Sequence, residues 1–137
     1  MIRRLRKRNG TQRRGAAAVE MAAVTPFLML MLLGIIEFGW LFTVRQGLVT
    51  AAREGARVAA LPGSTPADVE DRVRLYLNPL GLTSFLFELT RATPDNGNAE
   101  TVRVAVPYAQ VTLIGGFFTN TDFNLEATCS MRKEALD

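Results

Sequence analysis

The sequence has no histidine, a single cysteine (Cys129) and only two lysines (Lys7 and Lys133). Without histidine there is no His-containing catalytic triad and no histidine metal ligand. One cysteine can form neither an internal disulfide nor a cysteine-rich zinc site. Catalysis through carboxylates, lysine or serine stays possible, but these absences leave few routes to it. We therefore expect no enzyme, no catalytic residue, no metal and no cofactor.

Acidic residues are missing from the start of the chain. Residues 1–14 carry seven basic side chains and no acid. The remaining residues hold nine bases and all 13 acids, a side-chain charge of −4. The formal charge of +3 therefore reflects a basic tail. Such a tail can bind phosphates non-specifically, but it has no interleaved aromatics, and we expect no specific nucleic-acid partner.

One long apolar run follows the basic tail. Residues 16–36 contain a single charge, Glu20, and a helix of this length rises about 30 Å, the thickness of a bilayer's hydrocarbon core. A buried core helix is the alternative, but a chain of 137 residues is small for covering a helix that is apolar all round. Three aromatic residues at the far end are typical of membrane-interface anchors, namely Phe38, Trp40 and Phe42. We predict a transmembrane helix.

The flanking charges predict its orientation. The basic tail precedes the apolar run, and only Arg45 follows it closely. The positive-inside rule then places the N-terminus in the cytoplasm and the C-terminal domain outside the cytoplasmic (inner) membrane. Cleavage as a secretory signal fits less well, because ordinary signal peptides have a shorter apolar region.

Glu20 at the start of the run has two interpretations. In the first, the bilayer begins at Met21, and Glu20 lies among headgroups near a helix N-terminus, where negative charge is favoured. The second rests on the string RRGAAAVEM, which resembles the processing site of type IV prepilins. That resemblance implies that a prepilin peptidase cuts between Gly15 and Ala16. The new α-amino group lies one helical turn from Glu20 and can neutralise it, and in the pilin family this glutamate is associated with subunit docking.

The resemblance continues along residues 15–60. This stretch is similar to the N-terminal region of TadE-like proteins, which are small pilin-related components of tight-adherence pili. The match is carried by AAVE, Pro26, the IIEFG around Glu37 and the AAREGAR of residues 51–57. The ending LEATCSMRKE also resembles the family's closing strand. Ala16 stands where many type IV pilins have Phe, so methylation of the new N-terminus is left open.

The resemblance implies a structural role and a set of partners. The mature chain would act as a minor pilin or pseudopilin in pilus assembly and surface adhesion. Its partners would be other pilin subunits, the assembly platform, the prepilin peptidase and, before assembly, inner-membrane lipid. The alternative is an unprocessed single-pass membrane protein whose outer domain binds envelope components.

Small residues recur every four positions beyond the apolar run and form what we call the small ridge. Its members are Gly39, Thr43, Gly47, Ala51, Gly55 and Ala59. Each interior glycine costs a helix about 1 kcal/mol relative to alanine, so the pattern indicates close packing. The partner is either the protein's own sheet or another subunit. The subunit-contact interpretation assigns Glu20, Gly39, Gly47, Ala51, Gly55 and Ala59 to that contact.

The remaining pattern predicts a pilin-like α+β fold. A long N-terminal transmembrane helix would continue into a small domain with one short helix and a three- to four-stranded antiparallel sheet. We expect a leader at 1–15, the transmembrane half of the helix at 16–44 and the outer domain at 45–137. Within that domain we expect helix to about 60, a short helix near 66–78, and strands near 84–91, 101–108 and 122–132. Thr65, Pro66 and Asp68 form the start signal of the short helix.

Four smaller expectations concern single residues and one loop. Alternation in the last strand predicts that Cys129 is an inert thiol facing the core. Pro107 predicts an edge strand. Glu37 lies at the outer end of the apolar run, where a carboxylate can reach water. The apolar loop VTLIGGFF at 111–118 packs on the core, the outer leaflet or a partner.

Overall fold

The computed structural model describes residues 10–115 and 123–133, with side chains from residue 15 onward. Most of the predicted leader (1–9), the end of the VTLIGGFF loop (116–118) and the predicted start of the last strand (122) lie outside the described residues. The chain divides into two units, Met1–Ile36 and Glu37–Asp137.

One α-helix, α1, runs from Gly10 to Ala59. In the N-terminal unit its large apolar side chains are exposed, for example Phe27 at 74% and Met31 at 62%. Pro26 lies inside the helix and cannot donate a backbone hydrogen bond. Within the described residues, α1 is the one helix long and apolar enough to cross a membrane. Its length and composition are those of a membrane anchor.

A short amphipathic helix, α2, spans Pro66–Leu77. Thr65 caps it: the Asp68 N–H donates to Thr65 Oγ1 at 3.2 Å, and the Thr65 N–H donates to Asp68 Oδ2 at 2.9 Å. The Thr65 hydroxyl also donates to Asp68 Oδ2, and these bonds lower the pKa of Asp68 below its ordinary value. The start signal predicted from the sequence is confirmed. A 3-10 turn at Asn78–Leu80 follows.

The sheet contains three described antiparallel strands in the order β1-β2-β3. They span Leu86–Thr90 (β1), Ala99–Pro107 (β2) and Asn124–Arg132 (β3), and a four-residue helix, Tyr108–Val111 (α3), follows β2. The prediction that Pro107 marks an edge strand is wrong, because β2 is the middle strand. The β1 pairing ends at Leu86 opposite Ala105, so Pro107 pairs with β3 alone. Its missing N–H therefore removes no β1–β2 hydrogen bond.

The core of the C-terminal unit forms between α1, α2 and one face of the sheet. Its members are fully buried aliphatic side chains such as Leu48, Val73 and Val104. Cys129 is half-buried and packs against this core, on the face that the alternation predicted. A long helix followed by a short helix and an antiparallel sheet confirms the predicted α+β class.

Glu100, at the start of β2, is a buried charge on the same face of the strand as Val102 and Val104. It is 1% exposed, and its Oε1 lies 3.6 Å from both the Arg91 guanidinium and the Lys133 ammonium. Two half-exposed cations thus compensate one buried carboxylate at the end of the sheet.

Candidate functional site along the long helix

The residues predicted for processing lie in the N-terminal unit, on an exposed stretch of α1. Gly15, Ala16 and Glu20 are all exposed. A Cβ placed on Gly15 would meet nothing within 4 Å. Ala16 and Glu20 are four residues apart, so both project from the same helix face. The helix begins at Gly10, so the Gly15–Ala16 bond lies inside α1 rather than before it.

Glu37 lies at the start of the C-terminal unit and is 1% exposed. Its Oε1 accepts hydrogen bonds from the hydroxyls of Tyr108 at 3.2 Å and Thr112 at 2.5 Å. Its Oε2 accepts a third from the backbone N–H of Leu113 at 3.0 Å. No cation pairs with Glu37 among the residues that the structure describes. Three protein donors therefore replace water around this carboxylate.

The expectation that Glu37 reaches water is therefore wrong. Its donors come from α3 and the two residues that follow, between 71 and 76 positions later in the chain. The position of Glu37 at the end of an apolar run does not predict hydrogen-bond partners so far away in the chain. The available signal was chemical: a charged residue amid apolar neighbours needs polar partners when it is buried, and Tyr108 and Thr112 are two of the polar residues in the mostly apolar stretch 104–115.

The three aromatic residues predicted as interface anchors differ in their surroundings. Phe38 and Phe42 are 56% and 68% exposed. Trp40 is half-buried against the core, and its indole N–H donates to the Val111 carbonyl at 2.8 Å. Trp40 therefore ties α1 to α3, beside the Glu37 bonds. Anchoring at a membrane interface stays a prediction for Phe38, Trp40 and Phe42.

Most of the small ridge faces the interior of the C-terminal unit. Ala51 and Ala59 are fully buried. A Cβ on Gly55 would lie 2.9 Å from Val73 Cγ2, on α2, and 3.3 Å from Val102 Cγ1, on β2. The ridge thus packs on the protein's own helix and sheet here, which is one of the two alternatives that the sequence left open.

The N-terminal end of the ridge is less enclosed. A Cβ on Gly47 would overlap the Leu80 side chain, so this residue also packs internally. Gly39 is exposed, with nothing within 4 Å of an added Cβ. A subunit contact through Gly47, Ala51, Gly55 or Ala59 would require them to leave their present packing. A subunit contact through Gly39 or Glu20 would need no such change, because both residues are exposed.

Comparison with known families matches the part of α1 that contains these features. The family model of TadE-like protein matches residues 15–57. Residues 15–57, about a third of the chain, are TadE-like. The match begins at Gly15 and includes Glu20 and Glu37, which confirms the resemblance seen in the sequence. Neither the curated proteins nor the solved structures include a match to the chain.

The TadE-like match over residues 15–57 indicates an association with tight-adherence pili. The chemistry of the chain agrees with such an association. Exposed apolar side chains cover residues 15–36, and in the C-terminal unit the buried Glu37 is hydrogen-bonded to Tyr108, Thr112 and Leu113. This arrangement can anchor, pack and dock.

Proposed function

We propose that the chain is a minor pilin or pseudopilin of a tight-adherence pilus, processed by a prepilin peptidase between Gly15 and Ala16. The observation that carries the proposal is the TadE-like match, which starts at Gly15. The basic leader precedes that residue, and the apolar run follows it. The proposal places the N-terminus in the cytoplasm and the C-terminal domain outside, with the mature chain in the inner membrane before assembly.

Processing would require α1 to unwind around residue 15, because a protease needs an extended peptide at the bond it cuts. Glycine lowers the cost of unwinding, since it is about 1 kcal/mol less favourable than alanine in a helix. Gly15 is exposed and makes no packing contact through its α-carbon face. Local opening there would leave the C-terminal unit intact.

After the cut, the ammonium of Ala16 would lie one turn from the carboxylate of Glu20. A pair of opposite charges at i and i+4 stabilises a helix modestly in water, and it matters more near hydrocarbon, where an unpaired carboxylate costs a few kcal/mol. The same ammonium can pair with Glu20 of a neighbouring subunit. We therefore propose Glu20 and the exposed Gly39 as subunit contacts within the bundle of anchoring helices.

The test is the mass and N-terminal residue of the full chain extracted from membranes of cells that carry the peptidase. We expect a chain that begins at Ala16. Gly15→Leu should block the cut, and it introduces no clash because the position is open. Gly10→Leu is the matched control, a glycine on the same helix upstream of the bond, and it should be processed normally.

Docking is tested separately by co-purifying a tagged copy with an untagged one. Glu20→Gln should be cut at the same bond but should recover less of the second copy. Asp71→Asn, an exposed acid on α2, should leave recovery unchanged. An intact residue 1–15 segment in cells with an active peptidase would contradict the proposal and favour the unprocessed single-pass membrane protein whose outer domain binds envelope components.

A further inference from the structure

An open apolar groove lies on the C-terminal unit between α1 and the start of β3. It encloses about 200 Å³ and is lined by Phe38, Leu41, Phe42, Arg45, Phe123 and Leu125. Five of these six side chains are apolar, and Phe38, Phe42 and Phe123 are 56%, 68% and 43% exposed. Large exposed aromatic side chains grouped in one place indicate a binding surface.

Contacts within the unit hold the β3 wall of the groove. The ring of Phe123 stacks on Tyr108 with 4.7 Å between ring centroids. The Tyr108 N–H donates to the Phe123 carbonyl at 3.0 Å, and its hydroxyl donates to Glu37 on α1. The two walls are therefore linked through Tyr108, so the groove exists before any ligand arrives.

Arg45 gives the groove a positive rim. Its exposed side chain lines the apolar groove and also a second groove of about 220 Å³ beside it, where Asn124 and Glu126 join the lining. Glu126 already pairs with Arg103 at 2.5 Å. Arg103 is shared with Glu88 at 3.4 Å. Arg45 forms no salt bridge within residues 15–115 and 123–133. The rim therefore presents one cation that forms no salt bridge in this part of the chain, next to the Asn124 amide.

The position of the groove along α1 indicates what fills it. Its first member, Phe38, follows the apolar run 16–36 of the membrane anchor almost directly. Arg45 comes eight residues after Glu37, about 12 Å farther along the helix axis. Along α1, away from the apolar run, the apolar wall of the groove comes first and Arg45 comes second. A bilayer presents its acyl chains and then its phosphates in the same order.

We propose that this groove binds one anionic phospholipid of the bilayer. An acyl chain lies against Phe38, Phe42 and Phe123, and the phosphate accepts hydrogen bonds from Arg45. An anionic lipid is favoured over a zwitterionic one because a zwitterionic headgroup carries its own cation, which repels Arg45. The proposal depends on α1 being a membrane anchor and is independent of processing at Gly15.

The experiment is native mass spectrometry of the full chain released from micelles containing equal amounts of phosphatidylglycerol and phosphatidylcholine. We expect one phosphatidylglycerol to be retained in preference to phosphatidylcholine. Arg45→Gln should lower that preference about fivefold, as expected for one basic side chain at an anionic membrane surface. Arg53→Gln removes an exposed arginine two turns later on α1, outside the groove, and should leave the preference unchanged.

A photoreactive phosphatidylglycerol with the reactive group in its acyl chain locates the lipid. In vesicles, we expect cross-links to β3 near Phe123 and Leu125 as well as to α1, and Phe123→Ser should remove the β3 cross-links. Cross-links confined to α1 would overturn the proposal, as would equal retention of the two lipids. If Arg45→Gln and Arg53→Gln lower the preference for phosphatidylglycerol equally, the preference comes from general surface charge and the proposal is overturned. Release of a lipid-free dimer would assign the groove to a second copy of the chain.

Discussion

Replacing Gly55 with alanine tests whether the small ridge packs inside the protein. The new Cβ would lie 2.9 Å from Val73 Cγ2 and 3.3 Å from Val102 Cγ1, closer than side chains normally approach. Overpacking of this kind costs about 1–3 kcal/mol. The gain in helix propensity offsets about 1 kcal/mol of it. We therefore expect Gly55→Ala to lower the free energy of unfolding, by up to about 2 kcal/mol.

Gly39→Ala is the matched control on the same helix. No atom lies within 4 Å of its added Cβ, so this variant keeps the propensity gain without the clash. The two variants should then differ by about 1–3 kcal/mol, which corresponds to about 4 °C or more in Tm for a unit of this size. Thermal unfolding of the full chain in detergent, followed by circular dichroism, measures the difference.

A second substitution shows whether the clash with Val73 is the cause. Val73→Ala removes the Cγ2 atom that the new Cβ would meet. The double variant Gly55→Ala, Val73→Ala should therefore be more stable than the sum of the single effects predicts, with a coupling of at least about 0.5 kcal/mol. If Gly55→Ala raises Tm as Gly39→Ala does, the ridge does not pack internally, and the subunit alternative would replace the present assignment.

Two further predictions concern carboxylates. Glu37→Ala removes the acceptor of three hydrogen bonds, each worth about 1.5–3 kcal/mol to a charged group, so the Leu113 amide should exchange with deuterium more than about tenfold faster. The control Glu54→Ala loses only the pair with Arg57 and should leave the exchange rate of Leu113 unchanged. An unchanged rate in Glu37→Ala would refute the assignment of these hydrogen bonds. Hydrogen bonds from Thr65 lower the pKa of Asp68, so its contribution to stability is complete above the ordinary value of 3.8 and is lost as pH falls through the lower folded value. Tm measured at a series of pH values below about 4 should fall less in Asp68→Asn than in the wild type or in Asp71→Asn. Equal falls in Tm for all three proteins would contradict the capping role of Asp68.

Local signals were sufficient for much of the fold. The α2 start was predictable because Thr65, Pro66 and Asp68 act on the backbone within three residues of one another. The β2 face was predictable because Val102 and Val104 alternate with polar residues. The expected end of the long helix near residue 60 agrees with the end of α1 at Ala59, because Pro62 and Gly63 stop a helix locally.

The features that were missed depend on partners far away in the chain. Glu37 and Trp40 are positioned by α3, and the sequence places no limit on what will lie opposite them. Pro107 was assigned to an edge strand because proline cannot donate to a neighbouring strand. The assignment failed because the sequence of β2 does not show that β1 ends before it reaches Pro107. For the ridge, a small side chain predicts close approach by another element, but it does not identify that element; Val73 and Val102 do so only once the fold is known.

The hydrogen bonds of Glu37 also restrict the order of events during synthesis. The helix containing Glu37 is made first, but its last donor, Leu113, is joined to the chain 76 residues later. Until then the carboxylate depends on water, and it cannot settle into hydrocarbon without a large cost. The growing chain therefore has to hold residue 37 at an aqueous surface while the next 76 residues are made. The three protein donors can replace that water only after Leu113, two residues beyond the end of α3, has been added.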